Sequence, residues 1–289
     1  MKKLVLSLVL AASLLVGGGY YFTSGPGGGC DCGDACACSH CDCDHCPHLL
    51  REKLLGENVT VVTDYGSGSG TVVIREGRVY VLTAHHVIDS LRNPAPPRSP
   101  FYEILAGVSG VPEPEVTYRD CYVSQYLSID GESVGEGPRY FASVLTTSEK
   151  EDLALLLVKA DPADFPYSAD FHHSEVAPPV GLELYHVGSL LGVMGGNSLT
   201  DGIISQVGRV LPGLGYFDQT TATAYPGSSG GGVYVKATGR YVGMLVRGAG
   251  ESFNLIVPVR RMNEWAERAG VAWALNPTLE VTKPHFLEE

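Results

Sequence analysis

The clearest indication of the fold class is the stretch Thr71-Val72-Val73-Ile74-Arg75-Glu76-Gly77-Arg78-Val79-Tyr80-Val81-Leu82-Thr83. It consists of two runs rich in β-branched residues, one on each side of Glu76-Gly77. A short turn that contains glycine, placed between two such runs, is a strong hairpin signal. The stretch therefore predicts two antiparallel strands joined by a tight turn.

Similar short apolar runs continue on both sides of this hairpin. Further strands are predicted at Asn58–Thr63, Tyr102–Val108, Glu115–Tyr126, Tyr140–Thr146, Leu153–Val158, Leu182–Val187, Ile203–Val210, Thr220–Ala224, Gly232–Val235, Tyr241–Val246 and Phe253–Val257. Many short strands separated by glycine and proline turn signals are typical of an all-β barrel or sandwich.

Two segments interrupt this strand pattern. Asp161–Pro179 contains several prolines and little periodicity, which predicts a link between two half-domains. A helix is predicted after Pro258, because proline is accepted in a first helical turn and the apolar residues that follow share one face. These residues are Val259, Met262, Trp265 and Ala266.

A second stretch is rich in glycine and can expose a serine hydroxyl group. It reads Tyr225-Pro226-Gly227-Ser228-Ser229-Gly230-Gly231-Gly232. Glycine tolerates backbone angles that a Cβ forbids, so a tight turn here can aim backbone N–H groups at one point. Such donors can hold an oxyanion while the Ser229 hydroxyl attacks a carbonyl. Alone, the stretch fits a flexible loop better than a catalytic one.

A base and an orienting acid are found elsewhere in the chain. His86 follows a predicted strand, and a histidine can carry a proton near neutral pH. Asp152 precedes an apolar strand, where a carboxylate can orient an imidazole and stabilise its cation. Taken separately, His86 fits a surface or metal-binding histidine and Asp152 fits a turn residue. One mechanism accounts for both together with Ser229, and the order along the chain is that of chymotrypsin.

Three motifs occur in this order: Leu82-Thr83-Ala84-His85-His86-Val87, Asp152-Leu153-Ala154-Leu155 and Pro226-Gly227-Ser228-Ser229-Gly230-Gly231. They resemble the motifs of trypsin-like serine proteases of the chymotrypsin fold, and are most similar to those of the bacterial HtrA/Deg type. The resemblance covers roughly residues 58–270. It implies an all-β fold of two six-stranded antiparallel β-barrels, with the active site in the cleft between them and a helix at the C-terminal end.

The resemblance also implies roles for individual residues. His86 corresponds to the catalytic base, with His85 as its neighbour, and Asp152 and Ser229 complete the triad. The backbone N–H groups of Gly227 and Ser229 form the oxyanion hole. Thr223 lies at the floor of the specificity pocket, and its lack of charge predicts cleavage after small or apolar residues. The substrate pairs with the strand at Val246, Arg247 and Gly248.

The chain departs from the family pattern in three places. No cysteine stands beside His86 or Ser229, so the disulfides usual in extracellular members are not expected there. Ser228 occupies the position where the family usually has Asn or Asp, and a small polar residue should be tolerated. No segment that resembles a PDZ domain follows the protease motifs.

The N-terminus predicts export. Met1-Lys2-Lys3 precedes an apolar run, Leu4–Val16, as in a secretory signal. Extended to Phe22, the apolar segment approaches the length that spans a bilayer, so residues 1–22 are either a cleaved signal peptide or a membrane anchor. Both alternatives predict a periplasmic or extracellular protease domain.

Seven of the eight cysteines are clustered after this segment: Cys30, Cys32, Cys36, Cys38, Cys41, Cys43 and Cys46. Three interpretations remain open for them: disulfides formed in an oxidising compartment, a soft metal site with interleaved histidines, and a disordered linker. The predicted organisation is a signal or anchor at 1–22, a glycine- and cysteine-rich linker at 23–54, a peptidase domain at 55–270 and a tail at 271–289.

The net charge of −12, without a basic stripe, argues against nucleic acid as a partner. The function implied by the resemblance is that of a serine endopeptidase, which forms an acyl-enzyme on polypeptide substrates and needs no cofactor for catalysis. Two alternatives are a catalytically silent protease fold that binds peptides and a surface metal-binding protein that works through its cysteines. The oligomeric state stays open.

Overall fold

The computed structural model describes residues 47–94, 116–128, 134–248 and 252–283. Several predictions lie outside these residues: the signal or anchor at 1–22, the cysteine cluster and the strand at Tyr102–Val108. Within the described residues, no helix has the length and apolar character needed to cross a membrane.

The first barrel contains six strands, namely β1 (Asn58–Thr63), β2 (Gly66–Arg75), β3 (Arg78–Thr83), β4 (Cys121–Ser128), β5 (Val134–Ser148) and β6 (Leu153–Val158). The strands pair antiparallel and close in the order β1-β2-β3-β6-β5-β4. The predicted hairpin is confirmed, because β2 pairs with β3 around Glu76 and Gly77. Their φ values of 45° and 68° give two successive left-handed residues, which fit a tight turn between twisted strands.

The second barrel contains β7 (Glu183–Leu190), β8 (Gly195–Leu211), β9 (Gly215–Thr220), β10 (Gly232–Val235), β11 (Tyr241–Gly248) and β12 (Asn254–Pro258). It closes in the order β10-β11-β12-β9-β8-β7. The predicted link at Asp161–Pro179 runs between β6 and β7, and therefore joins the two barrels. The fold implied by the resemblance is confirmed.

One predicted strand was wrong. Thr220–Ala224 was expected to be a strand, but β9 ends at Thr220 and the next residues leave the sheet. The Ala222 N–H bonds to the Thr220 hydroxyl, and the Ala222 carbonyl accepts a hydrogen bond from the side chain of Asn254. These hydrogen bonds to side chains replace the backbone pairing of a strand, so the β-branched residues of this segment lie in a loop.

Four α-helices are described: α1 (Pro47–Gly56), α2 (His85–Ile88), α3 (Val259–Arg268) and α4 (Ala272–Leu275). The predicted apolar face of α3 is confirmed, since Val259, Met262, Trp265 and Ala266 are all buried. Helix α1 crosses the boundary predicted after residue 54 and buries Leu54, while α4 lies in the predicted tail and buries Trp273. Packed structure therefore extends beyond 55–270 at both ends.

The largest apolar cluster joins the two barrels. Leu82 and Leu155 contribute to it from the first barrel, Phe217 and Met244 from the second, and Trp265 from α3. Each barrel also has a smaller cluster of its own. Because the shared cluster buries side chains from both barrels, it fixes the seam at which the candidate site lies.

Candidate active site

Helix α2 follows β3 directly and places two histidines side by side. The Nδ1 of His86 lies 2.9 Å from Oδ1 and 3.0 Å from Oδ2 of Asp152. The neighbouring His85 is buried and makes a different contact, in which its Nδ1 is 2.8 Å from the Thr147 hydroxyl. A carboxylate can only accept, so His86 donates from Nδ1 and its Nε2 is left as the basic nitrogen. The structure joins Asp152 to His86 rather than to His85.

Asp152 lies in the turn before β6, in the left-handed region at φ 57°. Its carboxylate is buried, and Oδ1 also accepts the backbone N–H of His86 at 3.1 Å. Burial alone raises the pKa of Asp152, but the hydrogen bonds from His86 and the charges of His86 and Arg247 outweigh it and hold the pKa below its usual value. The group is therefore a fixed anion beside the imidazole.

The turn that carries Asp152 is held by the second barrel. Glu151 accepts hydrogen bonds from Arg261 and Arg268 of α3, both at 2.8 Å. Arg261 is nearly fully buried and also donates to the carbonyls of Lys150, Leu214 and Tyr216. These contacts tie the acid-bearing turn to a helix about a hundred residues further along the chain. No local sequence pattern signals them.

Ser229 lies in the loop between β9 and β10 and is half-buried. Its Oγ is 3.5 Å from the carbonyl oxygen of Val246. The preceding Ser228 is buried, and its hydroxyl accepts the Tyr225 N–H at 3.1 Å. Ser228 thus closes the turn internally, which accounts for a small polar residue at this position.

Two glycines of this loop are required by the backbone. Gly227 has φ 96° and Gly230 has φ 89°. A Cβ at Gly227 would lie 2.3 Å from the Ser189 carbonyl oxygen, and one at Gly230 would lie 2.0 Å from that of Ser69. The tight approach of the loop to its neighbours therefore needs residues without a side chain.

The peptide units around the expected oxyanion hole are oriented by their carbonyl groups. The Pro226 carbonyl, in the peptide unit that carries the Gly227 N–H, accepts the Leu191 N–H at 2.7 Å, and the Ser228 carbonyl, in the unit that carries the Ser229 N–H, accepts the Gly231 N–H at 2.9 Å. Within the described part of the chain, the N–H groups of Gly227 and Ser229 donate to no other protein atom. Both remain available to an oxygen atom of a ligand.

Ser69 of β2 connects the first barrel to this loop and was missed in the sequence. Its hydroxyl donates to the Gly227 carbonyl and accepts the Ser189 N–H, each at 2.7 Å. Its own carbonyl accepts the Thr83 hydroxyl at 2.7 Å. The residue is fully buried. The only sequence signal was the unusual run Gly66-Ser67-Gly68-Ser69-Gly70 ahead of the first hairpin.

Helix α2 and the serine loop approach each other across β2. A Cβ at Gly68 would lie 2.5 Å from Val87, the residue after His86, and 3.1 Å from the Ser229 carbonyl oxygen. The other buried histidine nearby is His186, which lies behind the loop at Gly231. His186 is fully buried, so a substrate cannot reach it. Burial also lowers the pKa of His186 to about 4, so the ring is neutral.

A cavity of about 380 Å³ opens beside Ser229. Its lining residues are Thr223, Ala224, Tyr225, Pro226, Ser229, Leu245, Arg247 and Gly248. Of the expected substrate-binding residues, Thr223, Arg247 and Gly248 line it, while Val246 is buried behind Ser229. A second cavity, of about 500 Å³, lies against α3 and shares none of these residues.

The described residues contain no group of histidines, cysteines or carboxylates suited to hold a metal ion. Cys121 is buried on β4 and forms no disulfide with another described residue. What the site offers is a paired imidazole and carboxylate, an accessible hydroxyl and two free N–H donors. These are the groups used in acyl transfer.

Comparison with known proteins agrees with this architecture. The model of the trypsin-like peptidase domain matches residues 68–244, and the chain belongs to that family. No curated protein matches the chain.

Two solved structures are similar in fold. One is a serine endoprotease from Yersinia pestis, with 19% sequence identity and a TM-score of 0.55 over 78% of this chain and 66% of that one. The other is Deg5, with 19% identity and a TM-score of 0.53 over 80% of this chain and 94% of that one. The chain thus spans just under two thirds of the length of the Yersinia protein.

Proposed function

We propose that this peptidase is a serine endopeptidase in which His86, Asp152 and Ser229 form the catalytic triad. The observation that best supports the proposal is the pairing of His86 with Asp152 at the same seam as the Ser229 loop. Membership of the trypsin-like family supports the same reaction class.

In the proposed reaction, His86 removes the proton from the Ser229 hydroxyl as the oxygen attacks the peptide carbonyl. Asp152 holds the imidazole in the tautomer that leaves Nε2 free, and stabilises the imidazolium that forms. The N–H groups of Gly227 and Ser229 bind the oxyanion, and His86 then protonates the leaving amine. Water releases the acyl group in a second cycle of the same steps.

The substrate is proposed to extend along the free edge of β11. Strand β10 pairs with β11 as far as Met244, and Gly230 and Gly231 bond to Leu245. Beyond them, the Ser229 hydroxyl at 3.5 Å from the Val246 carbonyl is the only partner that the described residues offer to the backbone of Val246–Gly248 on that side. An extended peptide can add there as a further strand. Thr223 brings no charge to the cavity, which supports cleavage after small or apolar residues and argues against lysine or arginine.

The first prediction concerns the nucleophile. Ser229→Ala should abolish hydrolysis of a peptide library, with a loss of at least about 10³-fold, while unfolding in urea stays close to that of the native protein. Ser205→Ala, a serine of the same barrel outside the cavity lining, is the matched control and should keep full activity. Activity in Ser229→Ala equal to the control would exclude the proposed nucleophile.

The site of action is proposed to be outside the cytoplasm, in the periplasm or the extracellular space. Met1-Lys2-Lys3 and the apolar run after them support this, with the segment either removed or kept as a membrane anchor. No cofactor is proposed for catalysis. We propose no role in catalysis for a metal on the clustered cysteines, which lie outside the described residues.

A further inference from the structure

Arg247 is positioned to act on the acid of the triad as well as on the substrate. It lies on β11 in the second barrel and lines the cavity beside Ser229. Its Nη2 is 3.6 Å from Oδ2 of Asp152, which belongs to the first barrel. The side chain thus spans the seam from the substrate-binding strand to the acid.

The charges around Asp152 show why this contact matters. The Asp152 side chain is only 5% exposed, and a buried carboxylate needs a compensating charge. His86 hydrogen-bonds to it but is neutral when it acts as a base. Of the other charged groups in the turn and on α2, Glu149 and Lys150 are exposed, Glu151 is held by Arg261 and Arg268, and His85 faces Thr147 and Asp89. Arg247 is a cation that pairs with the Asp152 carboxylate from the second barrel.

We propose that Arg247 is a positioning residue, whose guanidinium holds the Asp152 carboxylate against His86 and opposes the protonation of His86. The inference rests on the proposed function of the same site and adds a residue that the three motifs do not contain. A cation near the carboxylate makes a second positive charge on the imidazole less favourable. Replacing Arg247 by a neutral residue is therefore expected to favour protonation of His86.

The contact is also expected to depend on salt. The Arg247 side chain is 45% exposed, so ions can screen its charge. A half-exposed pair has a modest effect, and the expected shift is about 0.5 pH unit at low ionic strength. The shift should shrink as salt is added.

The test is the pH profile of kcat/KM for Arg247→Gln and Arg247→Lys. The acid midpoint should rise by about 0.5 pH unit in Arg247→Gln at low salt. It should stay near the native value in Arg247→Lys, which keeps the charge. Arg240→Gln is the matched control, because Arg240 is an exposed arginine of the same barrel that pairs with Asp170. It should leave the profile unchanged.

A second measurement separates this inference from the proposed function. The pH at which the His86 ring takes up its proton can be followed by NMR in the folded native protein and both Arg247 variants, whether or not they turn over a substrate. A rise in Arg247→Gln alone supports the role of Arg247 even if the chain proves catalytically silent. An unchanged titration and an unchanged acid midpoint in Arg247→Gln would overturn it, even in an active protease.

Discussion

At the scale of single residues, the proposed catalysis depends on groups that orient the reacting atoms. His86, Asp152 and Ser229 could be proposed from motifs because each lies at a strand end or in a loop with a recognisable neighbourhood. Ser69 was not found, because a serine in a glycine-serine run gives no sign of partners far away in the sequence. Its hydrogen bonds to Gly227 and Ser189 exist only once the two barrels are packed together.

Ser69 carries the prediction at this scale. Ser69→Ala removes the donor to the Gly227 carbonyl, which belongs to the peptide unit between the two oxyanion-binding units, and should loosen both of its neighbours. We expect kcat to fall about 10-fold or more, with KM within about twofold, because the loss affects the transition state more than substrate binding. Ser143→Ala, which removes one hydrogen bond on another face of the first barrel, is the control for steady-state kinetics. Equal kcat values in the two variants would contradict this role.

At the scale of elements, the acid-bearing turn depends on helix α3. The helix itself was predicted from its apolar face, and the hairpin from its turn residues, since both signals are local. The contact between Glu151 and Arg261 was not predictable, because charged residues usually lie on the surface and the pattern does not name a partner. The strand predicted at Thr220–Ala224 failed for a related reason: side chains from elsewhere satisfy its backbone.

The two arginines of α3 that bind Glu151 allow a matched test of this contact. Arg261 is 3% exposed and Arg268 is 48% exposed, although both bind Glu151. Arg261→Met leaves a buried carboxylate poorly compensated and should lower the free energy of unfolding by about 3 kcal/mol. Arg268→Gln should cost less than about 1 kcal/mol, since an exposed pair contributes little. Urea unfolding of both variants measures the difference, and equal losses would contradict the assignment.

At the scale of the whole molecule, the sequence predicted two antiparallel barrels. It did not predict which ionisable groups are buried at the seam between them. Glu57 is fully buried there, with the Lys53 ammonium 3.6 Å from its carboxylate and no described residue at hydrogen-bond distance from that carboxylate. Burial raises the pKa of Glu57 from 4.5 to about 7, against the lowering effect of Lys53. A sequence pattern at the start of β1 does not show that this carboxyl group will be enclosed.

The raised pKa of Glu57 predicts how stability depends on pH. The folded protein holds the Glu57 proton more tightly than the unfolded chain, so the stabilisation is complete below about pH 4.5 and is lost as the pH rises through about 7. The loss is on the order of 3 kcal/mol. Glu57→Gln should remove this slope in urea unfolding between pH 4.5 and 8, while exposed Glu183→Gln should keep it. A slope that survives in Glu57→Gln would assign it to another group.

Covalent labelling of the nucleophile tests whether His86 activates Ser229 in the folded protein. The folded protein is treated with a fluorophosphonate, and the modified peptide is mapped by mass spectrometry. We expect a single adduct on Ser229, formed rapidly in the native protein and at least about 10³-fold more slowly in His86→Ala. An adduct on another residue, or equal labelling rates with and without the His86 imidazole, would contradict it.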